Sequence, residues 1–245
     1  MPRLGVNIDH IATLREARKI SDPDPLRGVE IAQKAGADSI VAHLRQDRRH
    51  IKENDVFEMR KVITTRLNME MSVNAEIVKL VLKIKPNQAT LVPENRQEIT
   101  TEGGLDVVSN FQQIKKVVDD LKTNDIIVSL FIDPQVNQIE ASKQTGAEAI
   151  ELHTGEYANA STADEENKYL QEIREAVVLG LNSGLIVHAG HGLNYKNVRR
   201  IAEINGIEEL NIGHSIISEA IFVGLENAVS QMKKLRILTQ PSVIC

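Results

Sequence analysis

Short apolar runs rich in Ile, Val and Leu alternate along this chain with longer segments whose apolar residues recur at helical spacing. Leu4–Ile8 predicts a first strand that ends among Asn7, Asp9 and His10. His10–Lys19 predicts an extra helical segment before the Asp22–Pro25 break. Helix Leu26–Ala35 closes on Gly36 and leads to strand Asp38–His43. Helix Asp55–Thr65 precedes strand Leu67–Ser72, with Glu70 near its exit. Helix Ala75–Ile84 precedes strand Gln88–Val92. The connection Pro93–Ser109 has no periodic pattern, and a loop of that length in a compact domain predicts a functional lid.

The second half repeats the alternation. Helix Phe111–Leu121, strand Ile126–Ile132, helix Val136–Thr145 and strand Ala149–Leu152 follow, then a polar loop Glu156–Asp164 and the long helix Glu165–Leu181. Strand Leu185–Ala189, helix Val198–Ile204, strand Leu210–Ile212 and one last helix Ser215–Leu235 complete the pattern, and the tail 239–245 is expected to fray. Strand and helix alternate about every 30 residues with no linker, as a single (β/α)8 TIM barrel over 1–245 requires. Gly36–His43 (GADSIVAH) also aligns with Gly146–His153 (GAEAIELH), which places like residues at the second and sixth strands.

Composition narrows the partners. With 42% hydrophobic residues the chain can bury a large core, and its net charge of −5 disfavours nucleic acid and anionic membrane. The lone Cys245 allows no internal disulfide; with no signal-peptide core and no membrane-length apolar run, a cytoplasmic protein is expected.

Chemistry collects at the strand exits. All seven histidines, His10, His43, His50, His153, His188, His191 and His214, fall late in a predicted strand or just beyond it. A barrel brings those positions together on its C-terminal face. Glu70 in the barrel mouth would be poorly solvated and raised toward the range of a general base, while His43 and His191 exchange protons near neutrality. Glu151 is a further candidate for stabilising a developing cation. Gly190–Gly192 and Gly213–His214 end the last two strands before helices, a place where backbone N–H groups cradle phosphate. Arg18, Arg45 and Arg15 offer a second anion site, so two phosphorylated reactants or one bisphosphate are expected.

No lysine lies in a predicted strand, which weakens an enzyme-bound Schiff base, and no His-x-x-x-His pair suggests zinc. On the residues alone, a metal-dependent phosphosugar aldolase or epimerase and a non-catalytic phosphometabolite-binding barrel stay open.

Several motifs together resemble the pyridoxine 5'-phosphate synthase family. They are 7–18 (NIDHIATLREAR), 43–51 (HLRQDRRHI), 68–71 (NMEM), 91–94 (LVPE), 101–106 (TEGGLD), 151–157 (ELHTGEY), 188–194 (HAGHGLN) and 211–215 (NIGHS). Gln46 stands where the family usually has Glu. The resemblance implies an enzyme of vitamin B6 biosynthesis that uses no metal or organic cofactor and condenses 3-amino-2-oxopropyl phosphate with 1-deoxy-D-xylulose 5-phosphate. It implies His43 and Glu70 as proton acceptors, His191 as proton donor and Glu151 as a transition-state stabiliser. By the same resemblance Asn7, Arg18, Gly192, Gly213 and His214 hold the aminoketone phosphate, and Asp9, His10, Arg45, His50 and Thr100 the sugar phosphate. Dimers grouped into a homo-octamer are likewise implied.

Overall fold

In the computed structural model, residues 1–94 and 103–236 are described. Eight parallel strands close into one barrel in chain order: β1 (Arg3–Asn7), β2 (Ser39–His43), β3 (Arg66–Met71), β4 (Gln88–Leu91), β5 (Ile127–Ile132), β6 (Ala149–His153), β7 (Ile186–Gly190) and β8 (Ile207–Ile212). The ring is completed by β8 pairing with β1, with Leu4 opposite Leu210 and Val6 opposite Ile212. The extra segment after β1 is α1 (Asp9–Arg18), followed by α2 (Pro25–Lys34), which Asp24 caps by accepting from Leu26 N.

Alternation along the strands decides where the core sits. Leu4, Val6, Ile40, Leu67, Met69, Leu130 and Ile150 point outward and join helix residues such as Val29, Ile77, Val81, Ile114 and Val118 in one apolar cluster. A fully buried side chain of this size contributes about 1.5–3 kcal/mol, so the annulus between sheet and helices holds the fold. The lumen is polar instead. Ser39 Oγ donates to Glu209 Oε1 at 2.9 Å, Thr90 Oγ1 to Asn68 Oδ1 at 2.9 Å and Arg3 Nε to Glu209 Oε2 at 3.1 Å. Ordinary barrels fill that space with branched aliphatic layers.

Helices α3 (Glu53–Val62) and α4 (Ala75–Ile84) follow β2 and β3. The connection from β4 to α5 (Phe111–Lys122) is the long one, and its residues 95–102, Thr100 among them, lie outside the described residues, as does the tail 237–245. Its trailing part is fixed: Gly104 N donates to Asp133 Oδ1 at 3.0 Å and Leu105 N to the Phe131 carbonyl at 2.7 Å.

Helix α6 (Val136–Thr145) precedes β6, and the expected polar loop after β6 contains a short helix, α7 (Gly155–Asn159). The long α8 (Ala163–Asn182) starts at a capping box between Thr162 and Glu165. After α9 (Val198–Ala202), the expected last helix is two, α10 (His214–Val223) and α11 (Leu225–Leu235). Gly224, at φ 80° and ψ 149°, turns the chain between them. No helix of the described residues is long and apolar enough to cross a membrane.

Candidate active site

The C-terminal mouth of the barrel opens into a cavity of about 600 Å³. Asn7, Asp9, His10, His43, Arg45 and His50 line it from the first two strands; Glu70, Glu151, His191, Gly192, Gly213 and His214 line it from the rest. Two expected site residues are not among them. Thr100 is outside the described residues, and Arg18 is exposed on the last turn of α1 and lines no part of the cavity. At 1.5 Å per residue, α1 carries Arg18 about 13 Å beyond Asp9.

Asp9 ties the first two strand ends together. Its Oδ1 accepts from His43 N at 2.8 Å, its Oδ2 from Asn7 Nδ2 at 3.0 Å, and its own N–H donates to Asn7 Oδ1 at 2.9 Å. His43 lies between two carboxyl groups, with Nδ1 3.8 Å from Glu70 Oε2 and Nε2 2.9 Å from Glu94 Oε1. His50 accepts from Ile51 N at its Nδ1, 2.8 Å away, which places the hydrogen of a neutral ring on Nε2.

The far side is built by β6, β7 and β8. Asn211 Nδ2 donates to Glu151 Oε2 at 2.6 Å, and Gly190 leaves room for the other oxygen, because a Cβ there would meet Glu151 Oε1 at 2.2 Å. His191 has a left-handed backbone, φ 74°, and Gly192 follows at φ 78°. The His191 ring lies 5.0 Å from that of His153, whose Nδ1 is paired to Asp133 Oδ1 at 3.0 Å. Gly213, His214 and Ser215, at the start of α10, line the cavity, so the N-terminal end of a ten-residue helix borders it.

Comparison with known proteins now decides the family. The model of the pyridoxal phosphate biosynthesis protein PdxJ family matches residues 4–237. Pyridoxine 5'-phosphate synthase of Synechocystis sp. is 56% identical over 234 residues, covering 95% of this chain and 97% of the relative. That of Sulfurihydrogenibium sp. is 55% identical over 236 residues, with the same coverage of 95% and 97%. This chain belongs to the pyridoxine 5'-phosphate synthase family. It is therefore an enzyme of pyridoxine phosphate formation in vitamin B6 biosynthesis. Solved barrels are similar in fold alone: KGPDC from Streptococcus mutans has a TM-score of 0.67 at 12% identity, covering 96% of this chain and 97% of that one. Phosphoribosylanthranilate isomerase from Thermotoga maritima has 0.59 at 13%, covering 96% and 98%.

Within this family member, burial sets the protonation of the cavity. Glu70 is pushed well above the ordinary carboxyl range by burial first and then by the charges of Asp9 and Glu151, against a hydrogen bond from Asn7. Glu151 is pushed up to about 8 by burial, opposed by Asn211 and assisted by Glu209. His191 is pushed down to about 4 by burial and by His153. His10 and His50 are also lowered, chiefly by burial.

The arginines divide differently from expectation. Arg15 is no anion site: its guanidinium makes a bidentate pair with Asp55 at 2.8 and 2.7 Å and donates to the His50 carbonyl at 3.0 Å. Arg48 bridges Glu53 at 2.8 Å and Glu76 at 2.5 Å, and Arg49 pairs with Asp47 while lining the cavity. Two histidines, His153 and His188, line no part of this cavity, and His188 lies the deeper. It is buried in mid-strand on the lumen side, level with Glu151, pushed down to about 4 by burial, and lines no cavity. Glu94, Asp133, Asn211 and Phe131 were given no role by sequence reasoning, though Glu94 ends one of the matched motifs and Asn211 begins another. Their roles depend on partners far away in the chain, which no local pattern displays.

Proposed function

We propose that this chain condenses 3-amino-2-oxopropyl phosphate with 1-deoxy-D-xylulose 5-phosphate, closing the pyridine ring with release of phosphate and water by acid–base catalysis. The observation that carries this reading is one cavity in which burial raises the proton affinity of Glu70 and Glu151 and lowers that of His191, with His43 Nδ1 3.8 Å from Glu70 Oε2. Groups whose proton affinities are pushed apart can give and take protons in turn.

The amine of one substrate attacks the ketone of the other, so the first imine joins the two reactants. No lysine is needed, and none lines the cavity among the described residues. Each dehydration needs a proton delivered to a departing hydroxyl and one removed from carbon. His43 and Glu70 would accept, His191 would donate, and Glu151 would stabilise the developing cation. Burial raises Glu70 and lowers His191, and the substrates would bring the opposing charges: a cationic nitrogen would draw a proton off Glu70, and a phosphate would favour the imidazolium.

Asn7, Gly192, Gly213 and His214 would hold the aminoketone phosphate at the start of α10. Asp9, His10, Arg45 and His50 would hold the sugar phosphate. Arg18 and Thr100 belong to this assignment by resemblance only. Closure of the connection after β4 over the bound pair would keep intermediates from bulk water. A homo-octamer built from dimers is the matching assembly, to be measured as mass in solution.

One observation favours a second reading. Asp9, His43 and Glu70 bring one ligand atom each within 4.8 Å of one another, a donor set that could take a divalent ion. Against it, both oxygens of Asp9 already accept hydrogen bonds, from the His43 backbone N–H and from Asn7 Nδ2. The deciding experiment mixes the purified protein with both substrates in excess chelator and follows the pyridinol chromophore and free phosphate. Undiminished product is expected; loss of activity restored by a divalent metal would favour the second reading, and binding without phosphate release would overturn the synthase.

A further inference from the structure

Glu94 has no part in the roles above, yet its carboxylate is held at both oxygens. Its side chain is 5% exposed, and each oxygen has its own donor. Oε1 is 2.9 Å from His43 Nε2, and Oε2 accepts from the backbone N–H of Gln46 at 3.0 Å. Burial opposes ionisation of this group, but the hydrogen bonds from His43 and Gln46 and the charges of His43 and Arg45 hold it below the ordinary carboxyl range. A carboxylate only accepts, so Nε2 of His43 carries a hydrogen. The lone pair of a neutral His43 is then on Nδ1, the atom nearer Glu70. The backbone of His43 is fixed as well, through its N–H to Asp9 Oδ1.

We propose that Glu94 is a positioning residue for the reaction: it locks His43 in the Nε2–H tautomer and thereby makes Nδ1 the atom that takes a proton. This rests on the reading of His43 as a proton acceptor given above. The repeat-related His153 also has a carboxylate partner, Asp133, but meets it through Nδ1 rather than Nε2. Orienting a catalytic imidazole through its other nitrogen is a general device, and losing the correct tautomer is costly even when geometry survives.

Glu94→Gln separates positioning from packing. The Gln46 N–H still requires an oxygen, so the new amide turns its carbonyl to Gln46 and its NH2 to His43. Nε2 must then accept, and the proton moves to Nδ1. The test is nitrogen NMR of the full-length protein with labelled histidine, His43 assigned through His43→Asn, together with steady-state kinetics on both substrates. The expected result is an Nε2–H ring in the parent, an Nδ1–H ring in Glu94→Gln, and a kcat about 100-fold lower with KM values within about threefold. An unchanged tautomer overturns the proposal, and so does a changed tautomer with near-parental turnover. Should Glu94→Gln fail to fold, Glu94→Ala decides the same point: a mixture of tautomers is expected, and a pure Nε2–H ring overturns the lock. His43→Asn tells this failure from that of the underlying reading. Full turnover in His43→Asn removes His43 as acceptor and Glu94 with it, whereas loss there and none in Glu94→Gln removes Glu94 alone.

Discussion

The carboxylate of Glu151 occupies the place where a side chain on Gly190 would begin. A Cβ on Gly190 would meet Glu151 Oε1 at 2.2 Å and the Asn211 carbonyl oxygen at 3.0 Å. Gly190→Ala should therefore leave a folded barrel, about 1–2 kcal/mol less stable, whose Glu151 is pushed off its Asn211 partner. A kcat reduction of about 100-fold is expected from steady-state kinetics, with the melting curve as the control for folding. Parental turnover in a folded Gly190→Ala protein would show that the position of Glu151 does not matter.

Glu70→Gln keeps the volume and removes the titratable proton. Both substrates should bind, measured by calorimetry or by equilibrium dialysis, while product formation falls by about 10²–10⁴-fold. Turnover close to the parent would take Glu70 out of the reaction.

Stability should peak near neutral pH and fall on both sides. Glu151 is at about 8 in the folded protein against an ordinary 4.5, so the folded chain holds a proton that the unfolded chain has lost. Its contribution is complete below about pH 4.5 and is lost as pH rises through about 8, and Glu70 acts in the same direction. His188 and His191, both at about 4 when folded, have the opposite effect, removing stability as pH falls below 6.5. Above 6.5 the carboxyl groups dominate this set, so Glu151→Gln should flatten the fall between 6.5 and 8 and steepen the rise between 4.5 and 6.5. Urea unfolding at several pH values measures both limbs.

Asp55 is a strut for the loop that carries His50. Asp55→Ala leaves Arg15, with its side chain 9% exposed, without its bidentate partner, and should cost about 3 kcal/mol. Because Arg15 also donates to the His50 carbonyl, the KM for the sugar phosphate should rise more than that for the aminoketone. Equal effects on the two KM values would show that the strut serves stability alone.

Strands and helices were legible because their periods differ and because Gly36 and Gly146, both at positive φ, end helices at matching places. The repeat drawn from those glycines places His43 and His153 as the last residues of β2 and β6. The cavity was legible because strand exits in a barrel converge. Placement within it was not. His188 sits one turn of alternation too deep, and Arg15 was claimed by an acid forty residues away, an ion pair that charge counting along the chain does not show. The break at Gly224 was missed because the apolar pattern runs through it on both sides. Glu94 and Asp133 act through histidines on other strands, so their importance is a property of three-dimensional pairing.

The closure of the barrel through β1 and β8 has a consequence for how the enzyme comes into being. Arg3 and Glu209, which meet at that seam, are 206 residues apart in sequence, and Asn7 packs against Gly213 just above them. All the residues from Arg3 to Glu209 must therefore have left the ribosome before β1 meets β8. Until then the wall of Asn7, Asp9 and His43 has no opposite wall, and the cavity stays open on one side. The cavity is complete only once β8 has joined β1.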